Sequence, residues 1–98
     1  MAMKHEHKSE FQKIQQLELE TIQAIFEGQK KKVLSLYAKA EQLFQKGGSY
    51  TRSLISNTFI FPLSQLLEMN YSWGKEYLVL FPQQLKQEYC RQIYSSGI

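Results

Sequence analysis

A chain of 98 residues has room for one domain, and with 43% hydrophobic residues it can build a core without a disulfide or a structural metal. This composition excludes a mainly disordered chain, and a net charge of +3 is well below what a dedicated nucleic-acid-binding face usually carries. Five glycines and two prolines among abundant Gln, Glu, Lys and Leu favour an all-α fold.

The first predicted helix runs from Glu10 to Phe26, where apolar residues recur at helical spacing. Its apolar positions are Phe11, Ile14, Leu17, Ile22 and Ile25. Ser9 is the expected N-cap, and Gly28 is expected to end the helix as its C′ residue. We expect residues 1 to 8 to be a flexible polar tail of a single domain that spans residues 1 to 98.

The second predicted helix follows Gly28 and has the clearest periodicity in the chain. Its apolar stripe is Val33, Leu36, Tyr37, Ala40, Leu43 and Phe44. Lys46 before Gly47 and Gly48 predicts where it ends, since cations and glycine both favour a helix C-terminus. Glu41 lies near the stripe, where we expect a solvated carboxylate, with a semi-buried ion pair or cap contact as the alternative.

The third predicted helix, Tyr50 to Met69, is the most hydrophobic, and Ser49 is its expected N-cap. Pro62 lies inside it, removes one backbone hydrogen bond and clashes with the carbonyl four residues earlier, near Thr58. We therefore expect a kink or break around residues 57 to 61. A short strand at residues 58 to 61 is the alternative, although one isolated strand would have nothing to pair with.

The C-terminal third is predicted to hold a turn and two short helices. The composition of residues 70 to 74 indicates the turn, Lys75 to Leu80 the first helix, and Pro82 the first position of the second. The apolar positions of the last helix are Leu85, Tyr89, Cys90 and Ile93. The predicted fold is thus a compact all-α bundle of four to five helices.

Residue types that carry catalysis or bind metals are scarce. The chain has no Asp, its two histidines, His5 and His7, lie in the predicted tail, and Cys90 is its single cysteine. We expect Cys90 to be a small buried hydrophobe, and we expect no catalytic site, no metal site and no cofactor. A lone cysteine, with no apolar run long enough for a membrane span or an export signal, favours a cytoplasmic protein that does not enter membranes.

Lys30, Lys31 and Lys32 are the sharpest charge feature, because they stand at the positive end of the second helix dipole. The carbonyls that end the first helix, together with Glu27, would offset them. Alternatively the lysines bind an acidic partner, either a protein surface or a phosphate backbone. Arg52 extends this cluster only if the hairpin between the second and third helices folds that way.

Aromatic residues after the third helix form a second candidate surface. They are Tyr71, Trp73, Tyr77 and Phe81. Tyrosine and tryptophan anchor many protein interfaces, so those that are exposed together would mark a partner site. The alternative is that most of them close one end of the core.

The run from Ala40 to Gly47, followed by Ile55, Phe59-Ile60 and Leu63 to Glu68, resembles an uncharacterised family of small bacterial all-helical domains. The resemblance implies HEAT-like antiparallel hairpins and an interaction domain of unknown function, suspected of a role near toxin and immunity systems. It brings no catalytic residues.

We therefore predict a non-enzymatic protein-protein interaction domain, in its most concrete form an immunity or regulatory partner protein. A nucleic-acid-binding adaptor that uses Lys30 to Lys32 is the alternative. The residues predicted to contact the partner are Lys30, Lys31, Lys32, Arg52, Tyr71, Trp73 and Tyr77.

Overall fold

The structure, a computed structural model, describes the backbone of residues 2 to 96 and the side chains of residues 9 to 94. In chain order it contains α1 (Ala2–Phe26), α2 (Lys30–Lys46), α3 (Ser49–Leu54), a π-helical segment (Ile55–Ile60), α4 (Phe61–Met69), α5 (Tyr71–Val79) and α6 (Gln83–Ser96). The predicted all-α bundle is confirmed, and its Cα radius of gyration is 13.4 Å. A compact domain of this length is expected to have a radius of about 13 Å.

Helix α1 begins at Ala2, well before the predicted start, so the expected N-cap Ser9 lies inside the helix and that prediction is wrong. The side chains of residues 1 to 8 lie outside the described part, and the flexible tail stays a prediction.

Gly28 ends α1 as expected, with φ +70°. Its N–H donates to the Ile25 carbonyl at 3.0 Å, and the Gln29 N–H donates to the Ala24 carbonyl at 2.9 Å. These two bonds are those of a Schellman motif.

Helix α2 and the π-helical segment lie at the centre of the bundle, each packed against both α1 and α6. Tyr37 of α2 is fully buried, and its ring centroid lies 6.4 Å from that of Phe59 and 4.9 Å from that of Phe81. Its hydroxyl donates to the Tyr77 carbonyl of α5 at 3.0 Å. The other large, fully buried side chains are Ile14, Thr21, Val33, Ile55, Phe59, Ile60, Leu63, Leu67 and Leu85. The predicted apolar stripes supply most of this core.

The third predicted helix does not break at Pro62, and the strand alternative is wrong. Residues 49 to 69 are continuously helical, but the chain widens to π-helix at residues 55 to 60, just before Pro62. The Phe61 N–H donates to the Ser56 carbonyl, five residues earlier. Because the wider turn shifts each carbonyl relative to the residue four positions later, it relieves the clash that Pro62 would cause in an α-helix. Ser49 is the first residue of α3 and Gly48 is its N-cap, so Ser49 as N-cap is also wrong.

Residues 70 to 74 do not form the predicted turn, since α5 already begins at Tyr71 and only Asn70 separates it from α4. Gly74 lies inside α5 and is buried. A Cβ atom at this position would overlap the backbone carbonyl of Leu67 in α4. This glycine therefore permits the close packing of α4 on α5. Composition alone made residues 70 to 74 resemble a turn.

Helix α6 starts one residue later than predicted, with Pro82 as the cap: its carbonyl accepts the Lys86 N–H at 2.8 Å. The Glu41 carboxylate of α2 accepts the Gln84 N–H at 2.9 Å and caps α6 from outside the helix. The alternative of a half-buried cap contact at Glu41 is thus confirmed, and the solvated carboxylate is wrong.

The inner face of α6 is partly polar. Leu85 is buried, and beside it Glu88 and Gln92 hydrogen-bond to Ser56 of the π-helical segment. Cys90 is exposed, so its predicted burial is wrong. It follows the half-buried Tyr89 by one residue, and a helix turns by about 100° per residue, which carries the thiol away from the core.

Candidate interaction surface

The lysine cluster starts with an ion pair between two helices. Lys30, the first residue of α2, pairs with Glu76 of α5, and this hydrogen bond raises the Lys30 pKa. Glu27, the partner expected from sequence, instead accepts hydrogen bonds from the side-chain amides of Gln23 and Gln29. An acidic residue that follows in the chain by 46 positions therefore offsets part of the positive charge at the start of α2.

Lys31 and Lys32 are exposed, and no carboxylate among the described side chains pairs with either of them. Their two charges are accordingly available to a partner. They occupy the first turn of α2, directly after the lysine that joins α2 to α5.

Two aromatic rings meet beside this ion pair. Phe26 ends α1 with 62% of its surface exposed, and its ring centroid lies 5.7 Å from that of the half-buried Trp73. At the start of α5 Tyr71 is 59% exposed, with the Lys75 ammonium 5.9 Å from its ring centroid. Tyr77 is only 6% exposed and its side chain belongs to the core, so Tyr77 is withdrawn as a surface contact. Phe81 is buried as well.

One member of each predicted surface, Lys30 and Trp73, is thus brought to the place where the α1–α2 turn meets α5. An open cavity of about 370 Å³ lies at the contact of Phe26 with Trp73, lined by Ile25, Phe26, Gly28, Trp73, Glu76 and Tyr77. We call this region the turn–α5 surface. Its exposed and half-buried members are Phe26, Trp73, Lys30 and Glu76, with Lys31 and Lys32 beside Lys30 in the first turn of α2. Tyr71 and Lys75 do not belong to it, because Tyr71 precedes Trp73 by two residues, about 200° around α5, and lies close enough to Tyr89 of α6 to raise the Tyr89 pKa.

Arg52 does not belong to this surface. Its Nε donates to the Phe44 carbonyl at 3.3 Å, and its guanidinium lies 5.8 Å from the centroid of the Phe44 ring. Phe44 is near the end of α2 and Lys30 at its start, so the two groups are about 20 Å apart along the helix axis. The condition under which Arg52 would extend the lysine cluster is not met.

Sequence reasoning missed two residues of the turn–α5 surface, Phe26 and Glu76. A signal for Phe26 was present, because it falls beside the apolar stripe of α1 and not within it. No sequence signal pointed to Glu76, because its partner Lys30 lies 46 positions earlier in the chain and in a different helix.

The prediction that the chain has no metal site includes residues whose side chains the structure does not describe. His5 and His7 lie outside the described side chains. Among the side chains of residues 9 to 94, no three His, Cys, Asp or Glu residues are grouped closely enough to hold a metal ion. Every helix in residues 2 to 96 is too short or too polar to cross a membrane.

These observations define an all-α domain with one mixed surface of aromatic and charged residues. The chain belongs to a family described as a domain of unknown function (DUF7674), whose model matches residues 2–95, from α1 to α6. The predicted membership of an uncharacterised helical family is confirmed. Neither a curated protein nor a solved structure matches the chain. The HEAT-like character and the bacterial origin stay predictions.

Proposed function

We propose that this domain is a non-enzymatic protein-binding module of the bacterial cytoplasm, and that the turn–α5 surface is its contact site. The single observation that carries the proposal is the exposed Phe26 ring, which rests on Trp73 beside an open cavity. Large aromatic side chains at a concave surface are the usual anchors of protein interfaces. In its most concrete form the domain is a regulatory or immunity partner protein.

The charges around the cavity favour an acidic protein partner. Lys31 and Lys32 are exposed in the turn of α2 that begins with Lys30, whereas Glu76 is paired with Lys30. An aromatic centre with a charged rim is typical of a protein interface, in which the centre supplies affinity and the rim supplies orientation and association rate.

The alternative is a nucleic-acid-binding adaptor, in which Lys31 and Lys32 contact phosphates and Trp73 stacks on a base. Glu27 is exposed next to Phe26 and accepts hydrogen bonds from the neutral amides of Gln23 and Gln29, so its negative charge would repel a phosphate backbone. This mixed sign of charge supports the protein partner over the nucleic acid.

The two functions are separated by affinity capture with wild-type protein, with and without nuclease, followed by mass spectrometry. We expect one acidic protein to be recovered by wild type and lost with Phe26→Ala and with the double variant Lys31→Gln, Lys32→Gln. Tyr94→Ala is the matched control, because Tyr94 is 75% exposed on α6. It should capture the same protein as wild type.

Two outcomes would contradict the protein-binding proposal. One is that all four proteins capture the same set, which would mean that the turn–α5 surface makes no specific contact. The other is recovery that disappears with nuclease and falls steeply as salt rises, which would establish the nucleic-acid alternative.

A further inference from the structure

Both arginines of the chain, Arg52 and Arg91, line one cavity, although 38 residues separate them in sequence and they belong to different helices. The cavity has a volume of about 300 Å³ and lies between α3, the π-helical segment and α6. We call it the arginine pocket. Its other lining residues are Phe44, Ser53, Ser56, Asn57 and Glu88.

Each arginine is held by an acceptor of its own on the protein. The Arg52 Nε donates to the Phe44 carbonyl and its guanidinium lies against the Phe44 ring, which leaves its terminal Nη groups without a protein acceptor among the described residues. The Arg91 Nε donates to Glu88 Oε1 at 3.1 Å, and its Nη2 donates to Oε2. These contacts restrain both exposed guanidinium groups in part, so each should lose less side-chain entropy on binding a ligand than an unrestrained arginine would.

Glu88 neutralises Arg91, but its carboxylate is hydrogen-bonded to the protein and does not take the place of a ligand. One of its oxygens also accepts the Ser56 hydroxyl at 2.6 Å, and its side chain is only 12% exposed. The hydrogen bond from Arg91 holds the Glu88 pKa below its usual value, so the carboxylate stays ionised and Arg91 stays tethered at neutral pH. Among the described side chains, the pocket therefore keeps one uncompensated positive charge, at Arg52.

We propose that the arginine pocket binds an oxyanion, the phosphate or carboxylate group of a small molecule. Guanidinium groups present paired N–H donors that match the oxygens of both anions, and Ser53 and Asn57 add neutral donors in the same wall. The volume lies at the lower end of the range for small-molecule sites. The site is separate from the turn–α5 surface, because Phe44 and Lys30 lie toward opposite ends of α2.

The test is NMR observation of the arginine Nε–H groups, since two arginines give only two such signals in the spectrum. Inorganic phosphate and acetate are titrated separately at pH 6, with ionic strength held constant by sodium chloride. We expect both signals to move together and to saturate with at least one of the two probes. The probe that binds more tightly then identifies the class of oxyanion.

Variants test whether the movement of the arginine Nε–H signals arises from binding in the arginine pocket. Arg52→Gln should weaken binding of that probe roughly tenfold or more, as expected when a charged hydrogen-bond donor is lost. Arg91→Gln should abolish binding, because Glu88 would then face the anion unneutralised. Lys86→Gln removes one positive charge elsewhere on α6 and should leave binding unchanged. Amide spectra of each variant verify that it is folded.

The proposal is overturned if the shifts grow linearly without saturation, which would mean an adventitious ion only. It is equally overturned if Arg52→Gln and Lys86→Gln weaken binding to the same extent, because the response would then reflect net charge. Neither result would affect the proposed protein-binding surface, which shares no residue with the arginine pocket.

Discussion

Glu41 of α2 accepts a hydrogen bond from the backbone N–H of Gln84, in the first turn of α6. The two residues are 43 positions apart, so a carboxylate from one helix satisfies the N-terminus of another. Its negative charge also lies at the positive end of the α6 dipole. This contact joins the second helix to the last.

Replacing Glu41 by Ala should lower the free energy of unfolding by about 1 kcal/mol, the usual effect of losing an N-terminal cap. Glu41→Gln should lose less, because the amide oxygen can still accept the bond. The neighbouring Gln42 is exposed, and Gln42→Ala is the control. Urea denaturation measures all three. Equal stability of Glu41→Ala and Gln42→Ala would show that the cap contributes nothing.

Gly74→Ala should destabilise the protein by about 1 to 3 kcal/mol, the range for overpacking a tight contact. The added methyl group would overlap the Leu67 carbonyl, and backbone atoms cannot move aside as a flexible side chain can. Thermal unfolding should shift by several degrees to lower temperature.

Gly48→Ser is the matched control for this glycine. A Cβ atom there meets nothing within 4 Å, and Gly48 is the N-cap of α3, where serine is favoured. It should leave the melting temperature unchanged or raise it slightly. If Gly74→Ala were as stable as Gly48→Ser, the close approach of α4 and α5 would have to be wrong.

Local sequence patterns predicted most of the helices because helical periodicity and helix ends depend on neighbouring residues. The apolar stripe of α2 and the positive φ of Gly28 both follow from neighbouring residues. Gly74 and Pro62 were misjudged for the opposite reason: each is accommodated by a partner or by a change of helical pitch that propensity does not encode.

The candidate sites were harder to predict, since they depend on which helices become neighbours. Lys31 and Lys32 were singled out from charge alone; both are exposed, and their role in binding stays a prediction. The pair Lys30–Glu76 and the meeting of Arg52 with Arg91 require the tertiary fold. Only the spacing of Glu88 and Arg91, three residues apart on α6, gave a local signal for the second site.

Glu88 should make stability depend on pH in the acid range. Its folded pKa is lowered below the ordinary value of 4.5, mainly by the hydrogen bond from Arg91. The stabilisation is therefore complete above that ordinary value and is lost as the pH falls through the lowered folded pKa. At pH 7 it should amount to about 1 kcal/mol, because Arg91 is largely exposed and solvent weakens the pair.

Urea denaturation of wild type and Glu88→Gln between pH 7 and pH 2.5 measures this contribution. Wild type should be the more stable protein at pH 7, and the difference should narrow progressively below pH 4.5. Other carboxylates titrate in both proteins and cancel in the comparison. A difference that stays constant over the whole range would mean that Glu88 has an ordinary pKa in the folded state.

Tyr37 should have the corresponding effect in the alkaline range. Burial raises its pKa above the ordinary value of 10.0, and its hydroxyl donates to the Tyr77 carbonyl. The folded state favours the protonated phenol, so this group stabilises it in full only while the unfolded tyrosine is protonated as well. The advantage is present below pH 10.0 and declines as the pH rises toward the folded pKa.

Tyr37→Phe should cost about 1 kcal/mol at pH 7, from the lost hydrogen bond and the carbonyl left behind. Above pH 10.0 the difference between wild type and variant should shrink by as much as about 1.4 kcal/mol per pH unit, since only wild type must keep this phenol protonated. Tyr89, whose pKa is also raised, is present in both proteins and cancels. Denaturation curves at pH 7, 10 and 11 give the difference directly. If it were the same at all three values, Tyr37 would ionise as readily in the folded chain as in the unfolded one, and its burial among Phe59 and Phe81 would be contradicted.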